Sequence, residues 1–127
     1  MTASPARTVS LTIPPKPDYI VLARLALSAV CRLTPLQPDE VADLKLAVSE
    51  LATERLAGAS KGQVRIAVEL QDDRLVVDLH AAAAPSGSAD PLSRAIVEAT
   101  VDDVVYSEDS VRIVKRLAAE PHDLIAG

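Results

Sequence analysis

Apolar and polar residues alternate along three short stretches of this chain, which is the period of a half-buried β-strand, and two further short, mainly apolar stretches lie near its end. The first stretch ends at the prolines Pro14 and Pro15. The second and third are separated only by a polar turn at residues 71–73, so together they predict an antiparallel hairpin. The last two predict a closing hairpin. The predicted strands cover residues 8–13, 64–70, 75–79, 104–106 and 111–114.

Three other stretches repeat their apolar residues at steps of three and four, which predicts helices over residues 18–33, 39–57 and 90–100. The second helix begins with the acidic pair Asp39 and Glu40, a charge that favours a helix N-terminus. The third has Pro91 at its first position, where the missing N–H costs little.

The first predicted helix is apolar on more than one side. Its apolar stripe consists of Leu22, Leu25, Ala29 and Leu33. A polar line of Arg24, Ser28 and Arg32 runs beside this stripe, and a second apolar patch of Ile20, Leu27 and Cys31 lies beyond it. For the second patch we favour packing inside the domain over a dimer or partner surface. Little of this helix is expected to face water.

The second predicted helix combines a core face with an acidic face. Its apolar stripe is formed by Val41, Leu44, Val48 and Leu51. Asp43, Glu50 and Glu54 fall within a narrow arc on another side. From the residues alone, that arc is best explained as a solvated acidic helix surface.

The order strand, helix, helix, hairpin, loop, helix, hairpin predicts an α+β fold. We expect a two-layer α/β sandwich with a mixed, mostly antiparallel sheet and helices on one face. At 127 residues, 49% of them hydrophobic and 24% charged, the chain suits one domain over residues 1–127. Residues 1–7 and 121–127 are expected to be flexible.

Composition argues against several classes of function. A net charge of −5 and only two aromatic residues, Tyr19 and Tyr106, make direct nucleic-acid binding improbable. No apolar run is long enough to cross a membrane, and the lone Cys31 forms no internal disulfide, so we expect a cytoplasmic protein. His80 and His122 have no partners at metal-ligand spacing, so no metal site is expected.

The segment DLKLAVSEL, residues 43–51, resembles the helix that bears the catalytic glutamate in the anti-sigma-factor serine/threonine kinases. That family shares the ATP-binding (Bergerat-like) fold of histidine kinases, gyrase and the large heat-shock chaperones. The resemblance implies that Glu50 stands at the position of the general base, which would accept a proton from a seryl hydroxyl.

Two further segments are similar to the same family. Residues 22–25, with the sequence LARL, resemble its first helix, where an arginine contacts the sigma factor and the antagonist. The resemblance therefore implies a partner contact by Arg24, whereas the residue alone suggests a solvated side chain. Residues 101–104 and 110–115 resemble the closing helix and strands, so the similarity extends over residues 9–117.

The positions that would bind the nucleotide depart from the family pattern. Where the family has an asparagine that holds magnesium, four residues after the glutamate, this chain has Glu54. The family's Asp-x-Gly-x-Gly signature, whose aspartate reads the adenine amino group, falls on Ala81, Ala83 and Pro85. Adenine recognition is therefore expected to be lost, and no bound cofactor is expected.

These observations favour an anti-sigma-type regulator of transcription, a pseudokinase that binds a sigma factor or an anti-anti-sigma protein without catalysis. The first alternative is an active kinase that phosphorylates a serine of an anti-anti-sigma partner, with ATP and magnesium, Glu50 as base and Glu54 as metal ligand. The second is a scaffold without a sigma partner, since members of the family commonly form homodimers.

Overall fold

The structure is a computed structural model that describes residues 7–58, 62–81, 91–107 and 109–117. Its strands are β1 (Arg7–Ile13), β2 (Val64–Leu70), β3 (Arg74–Ala81), β4 (Asp103–Tyr106) and β5 (Ser110–Arg116). Its helices are α1 (Ile20–Cys31), α2 (Pro38–Gly58) and α3 (Pro91–Thr100), and a 3-10 turn at Pro17–Tyr19 leads into α1. Every predicted strand and helix is confirmed, with bounds that differ by at most two residues.

The five strands form one sheet in the order β1-β2-β3-β5-β4. All four pairings between the described strands are antiparallel, so the sheet has no parallel pair in this part of the chain. The expected α+β class is confirmed. The register places Leu11, Ile66, Leu79 and Val111 in one row across four strands. Because side chains alternate between the faces of a strand, this row and its neighbours make one face of the sheet apolar.

The helices cover that apolar face, and the core lies between the two layers. Leu44, Val48 and Leu51 of α2 are buried there, as the periodicity predicts. The opposite face of the sheet carries Asp78 and Arg112, which are directly paired in register. One face of the sheet is thus packed and the other is polar.

The buried side of α1 is not the side that carries its predicted apolar stripe. The buried side chains of α1 are Ile20, Ala23, Leu27, Val30 and Cys31. The predicted stripe is instead exposed at Leu22, Leu25, Ala29 and Leu33, so the expectation that little of this helix faces water is wrong. Packing inside the domain is confirmed for the second patch. The reason is that α1 is apolar almost all round, so its contacts with α2, β1 and β2 decide which side is buried.

A local capping contact fixes the start of α2, the helix that carries the acidic arc. Pro38 occupies its first position, and the backbone N–H of Gln37 donates to Oε1 of Glu40 at 3.0 Å. This contact resembles the reciprocal half of a capping box, in which an acidic side chain reaches back to the N-terminal backbone. It also brings Glu40 within 3.8 Å of Nζ of Lys115 on β5, which ties the helix to the sheet.

Candidate functional site

Glu50 and Glu54 lie one helical turn apart on α2, so their side chains share a face of the helix. Both residues are partly buried, whereas Asp43, the third member of the acidic arc, is exposed. The arc is therefore a solvated surface only at its N-terminal end. Its C-terminal part reaches towards the interior, where water screens charges less effectively.

The Glu54 carboxylate has one oxygen, Oε2, that is buried and has no hydrogen-bond partner among the described residues. The hydroxyl of Tyr106 on β4 is likewise buried and has no hydrogen-bond partner within the part of the chain that the structure describes. The two groups are close enough to interact electrostatically. Burial raises the pKa of Tyr106, the positive charge of Arg94 opposes this, and the charges of Glu54 and Glu98 add to it.

Sequence reasoning missed the arrangement around Tyr106. Arg94 of α3 lies over the Tyr106 ring, with its guanidinium carbon 4.1 Å from the ring centroid. This cation–π contact joins α3 to β4 beside Glu54. The available signal was the scarcity of aromatic residues, since a lone aromatic near the end of a strand is a candidate for a specific contact.

Arg55 is the second residue that the sequence analysis missed. It is only 5% exposed, and its Nη2 donates to the backbone carbonyls of Ser107 and Ser110 at 3.3 Å each. These carbonyls flank the turn between β4 and β5, so Arg55 links α2 to the closing hairpin. A signal was present, because Arg55 continues the apolar stripe of α2, four residues after Leu51.

Ala81 is the last residue of β3 and lies on the face of the sheet that the helices cover. It is 3% exposed and directly opposite Val64. Its backbone N–H donates to the carbonyl of Asp109 at 3.0 Å. Ala81 thus contributes an apolar side chain and an N–H that is already engaged, while Ala83 and Pro85 lie outside the described residues.

Arg24 lies on another helix, α1, and is exposed. The structure thus brings Glu50 and Glu54 together on α2 and places Ala81 on the sheet beneath the helical layer. Arg24 is on α1 and is not part of this pair.

Within the four described ranges, no group of three or more His, Cys, Asp or Glu side chains is placed to hold a metal ion. Among the helices described, none combines the length and apolar character needed to cross a bilayer.

Comparison with known proteins identifies relatives of this chain. It is 33% identical over 72 residues to the serine-protein kinase RsbW of Listeria innocua and 37% identical over 73 residues to that of Bacillus subtilis. These matches cover 57% and 54% of the chain, which itself spans less than half of each relative, 41% and 46%. No protein-family model matches the chain.

The fold is also similar to a crystal structure of the RsbU and RsbW domains of a Mycobacterium tuberculosis protein, with a TM-score of 0.74. This similarity covers 90% of the chain and 33% of the other protein, at 14% sequence identity. At that identity the likeness establishes the fold alone.

Proposed function

The chain is a relative of the RsbW serine-protein kinases, and we propose that it is an anti-sigma-type regulator that binds a protein partner without phosphorylating it. The partner in this proposal is a sigma factor or an anti-anti-sigma protein. We also propose a cytoplasmic location, because the lone thiol of Cys31 is free and buried.

The observation that carries the proposal is the chemistry of Ala81. The resemblance requires an aspartate at this position, whose carboxylate accepts a hydrogen bond from the adenine amino group. The methyl side chain of Ala81, at the end of β3, accepts none. If adenine bound at this position, its amino group would lose its hydrogen bonds to water and gain none from the protein, which disfavours binding.

The acidic pair of Glu50 and Glu54 also disfavours ATP binding, because it would repel the phosphates of the nucleotide. Glu54 replaces a neutral asparagine and stands one turn from Glu50. A second negative charge at this distance repels a triphosphate, and partial burial strengthens the repulsion because the surroundings screen it less. The residues present therefore fit Mg-ATP poorly.

One observation favours the alternative of an active kinase. Oε2 of Glu54 has no hydrogen-bond partner among the described residues, and carboxylate oxygens are good ligands for magnesium. In this alternative Glu54 would hold the metal and Glu50 would accept the proton of a partner's serine.

Calorimetric titration of the full chain with Mg-ATP separates the two functions. We expect no heat of binding for the protein as it is, and a measurable heat for the double variant Glu54→Asn, Ala81→Asp, which restores the two family residues. Clear micromolar binding by the unaltered protein, followed by phosphate transfer that Glu50→Gln abolishes, would establish the kinase instead.

Affinity capture from the organism that encodes the chain tests the partner. We expect a sigma factor or an anti-anti-sigma protein to be recovered, and Arg24→Ala to reduce its recovery. Arg65→Ala, which removes an exposed arginine of β2, is the matched control and should leave recovery unchanged. Recovery of neither class of partner, with a homodimer found by sizing, would favour the scaffold without a sigma partner.

A further inference from the structure

The face of the sheet that the helices leave uncovered carries a row of polar side chains across four strands. The register places these residues directly beside one another on β1, β2, β3 and β5: Thr12, Arg65, His80 and Ser110. His80 is two residues beyond Asp78 on β3, so both side chains lie on the outer face of the sheet. The row is therefore on the opposite side of the sheet from α2 and its acidic pair.

A pocket lies at the end of this face, where β2 begins and β3 ends. Its volume is about 260 Å³. The residues that line it are Thr12, Gln63, Arg65, His80, Ala81 and Asp109. Pockets for drug-sized ligands usually have volumes of roughly 300–1,000 Å³, so this one suits a smaller molecule.

The charged residues of the pocket are held by hydrogen-bonded backbone on both sides. Arg65 and His80 are register partners on the adjacent strands β2 and β3. Asp109 directly precedes β5, and its carbonyl accepts a hydrogen bond from the backbone N–H of Ala81 at 3.0 Å. Groups attached to a paired sheet need little rearrangement to meet a ligand, which favours binding.

The two opposite charges that line the pocket are not paired with each other. Within the part of the chain that the structure describes, the side chains of Arg65 and Asp109 form no ion pair or hydrogen bond. The next row along the same face is different, because Nε and Nη2 of Arg112 donate to Asp78 at 2.8 Å and 3.2 Å. The donors of Arg65 and the carboxylate of Asp109 therefore remain available to a ligand.

The charges of the lining select the class of ligand. With His80 neutral, Arg65 supplies one positive charge and Asp109 one negative charge. A simple anion would be attracted by Arg65 but repelled by Asp109, and a simple amine would meet the reverse. A zwitterion satisfies both, because a guanidinium binds a carboxylate through two parallel N–H donors and a carboxylate binds an ammonium. Gln63 and Thr12 add uncharged donors and acceptors for a polar side chain.

We propose that this pocket binds a small zwitterion of the amino-acid class, with its carboxylate on Arg65 and its ammonium on Asp109. The site shares only Ala81 with the positions considered for the nucleotide, and the Ala81 side chain lies on the covered face of the sheet. Capture of a protein partner, which Arg65→Ala is expected to leave unchanged, depends on Arg24 instead. The amino-acid site and the proposed function can therefore fail separately.

Nuclear magnetic resonance of the full, ¹⁵N-labelled chain tests the proposal. The probes are L-serine, whose small polar side chain suits the lining, and an equimolar mixture of the twenty L-amino acids. We expect both to shift the backbone N–H signals of Arg65, His80 and Asp109, while the signals of α2 stay in place. Two analogues of L-serine, 3-hydroxypropionate without the ammonium and ethanolamine without the carboxylate, should each bind at least roughly tenfold more weakly.

Variants assign each charge of the ligand to one residue. Arg65→Gln should weaken binding of L-serine at least roughly tenfold and remove its advantage over ethanolamine, since the donor to the carboxylate is lost. Asp109→Asn should remove the advantage of L-serine over 3-hydroxypropionate. Arg112→Gln is the matched control, because Arg112 lies on the same face but already donates to Asp78, and this variant should bind as the parent does.

Several outcomes of these titrations would overturn the inference. They are no shift at the pocket with either L-serine or the mixture, equal binding of L-serine and its two analogues, and equal losses in Arg65→Gln and Arg112→Gln. Titration with inorganic phosphate completes the test. If phosphate binds more tightly than L-serine, and Asp109→Asn strengthens its binding, the pocket belongs to an anion and the zwitterion is rejected.

Discussion

The guanidinium of Arg94 on α3 lies 4.1 Å from the centroid of the Tyr106 ring on β4, and this contact joins a helix to the edge of the sheet. The Tyr106 hydroxyl beyond the ring is buried and interacts electrostatically with Glu54 on α2. Helix α2 therefore meets the consecutive elements α3 and β4 at one tyrosine. Stability and titration measurements can both detect this relationship.

The Arg94–Tyr106 contact should have a measurable coupling energy. Arg94→Gln is expected to lower the free energy of unfolding by about 0.5–1 kcal/mol, the usual size of a cation–π contact near the surface. Urea unfolding of Arg94→Gln, Tyr106→Leu and the double variant gives the coupling as a double-mutant cycle. Additive losses would show that the two side chains do not stabilise each other.

The same arginine should influence the ionisation of Tyr106. Burial raises the pKa of Tyr106 and Arg94 opposes the rise, so Arg94→Gln is expected to raise this pKa further. Ultraviolet titration of tyrosinate measures it, in a Tyr19→Phe background that removes the other tyrosine. Glu54→Gln should move the pKa of Tyr106 the opposite way, and a shift of the same sign in both variants would contradict the assignment.

The buried Arg55 should matter far more to stability than an exposed arginine. Arg55→Met removes the donor to the Ser107 and Ser110 carbonyls, and we expect it to lower the free energy of unfolding by about 2–4 kcal/mol. Arg65→Met, on the exposed side of β2, should change it by less than about 0.5 kcal/mol. Equal effects of the two substitutions in urea unfolding would rule out a structural role for the buried guanidinium.

The Asp78–Arg112 ion pair on the outer side of the sheet should contribute little. Its Oδ1 and Nε atoms are 2.8 Å apart, but the Arg112 side chain is 59% exposed. Asp78→Asn is therefore expected to cost less than about 1 kcal/mol of unfolding free energy, and less still at high salt. Leu79→Ala, the next residue along β3 but buried in the core, should cost about 2–5 kcal/mol.

Cys31 should react slowly with alkylating reagents at neutral pH. Burial raises the pKa of its thiol from 9.0 to about 11, although the charge of Lys45 partly opposes this. The thiolate is the reactive form, so the rate with iodoacetamide should keep rising up to a pH near 11. Lys45→Met should raise the pKa further and slow the reaction, and a rate that levels off near pH 9 would contradict the raised pKa.

The same shift has a consequence for stability. Because the folded pKa of Cys31 lies above the unfolded value, the protonated thiol is favoured by folding. The resulting stabilisation is fully present below pH 9 and is lost between pH 9 and pH 11. Cys31→Ala should remove this part of the pH dependence, which urea unfolding at a series of pH values measures.

The alternating strands and the apolar stripe of α2 were predictable from the sequence because each has one apolar side. A strand such as β2 alternates at every position, so its buried residues Val64, Ile66 and Val68 follow from the pattern alone. The side of α1 that is buried was not predictable. Both of its sides are apolar, so periodicity offers two solutions of similar quality.

The candidate site shows the same division. The acidic pair of Glu50 and Glu54 follows from helical spacing, since residues four apart share a helix face. The contacts of Arg55 with the closing hairpin, 52 and 55 residues further along the chain, do not follow from any local pattern. Neither does the meeting of Glu54, Tyr106 and Arg94, which depends on how α3 and β4 pack against α2.

By itself, the sequence determined the α+β class, the order and bounds of the helices and strands, and the resemblance to the anti-sigma kinases. These properties depend on patterns within about twenty residues, where hydrogen bonds and alternating side chains impose fixed periods. Only the tertiary structure decided that Leu25 and Leu33 face outwards, that Arg55 is buried, and that Arg94 lies over Tyr106. In each case the local sequence allows more than one side of a helix to be buried. Which side is removed from water is decided when distant elements pack, because packing minimises the free energy of the whole core rather than of one segment.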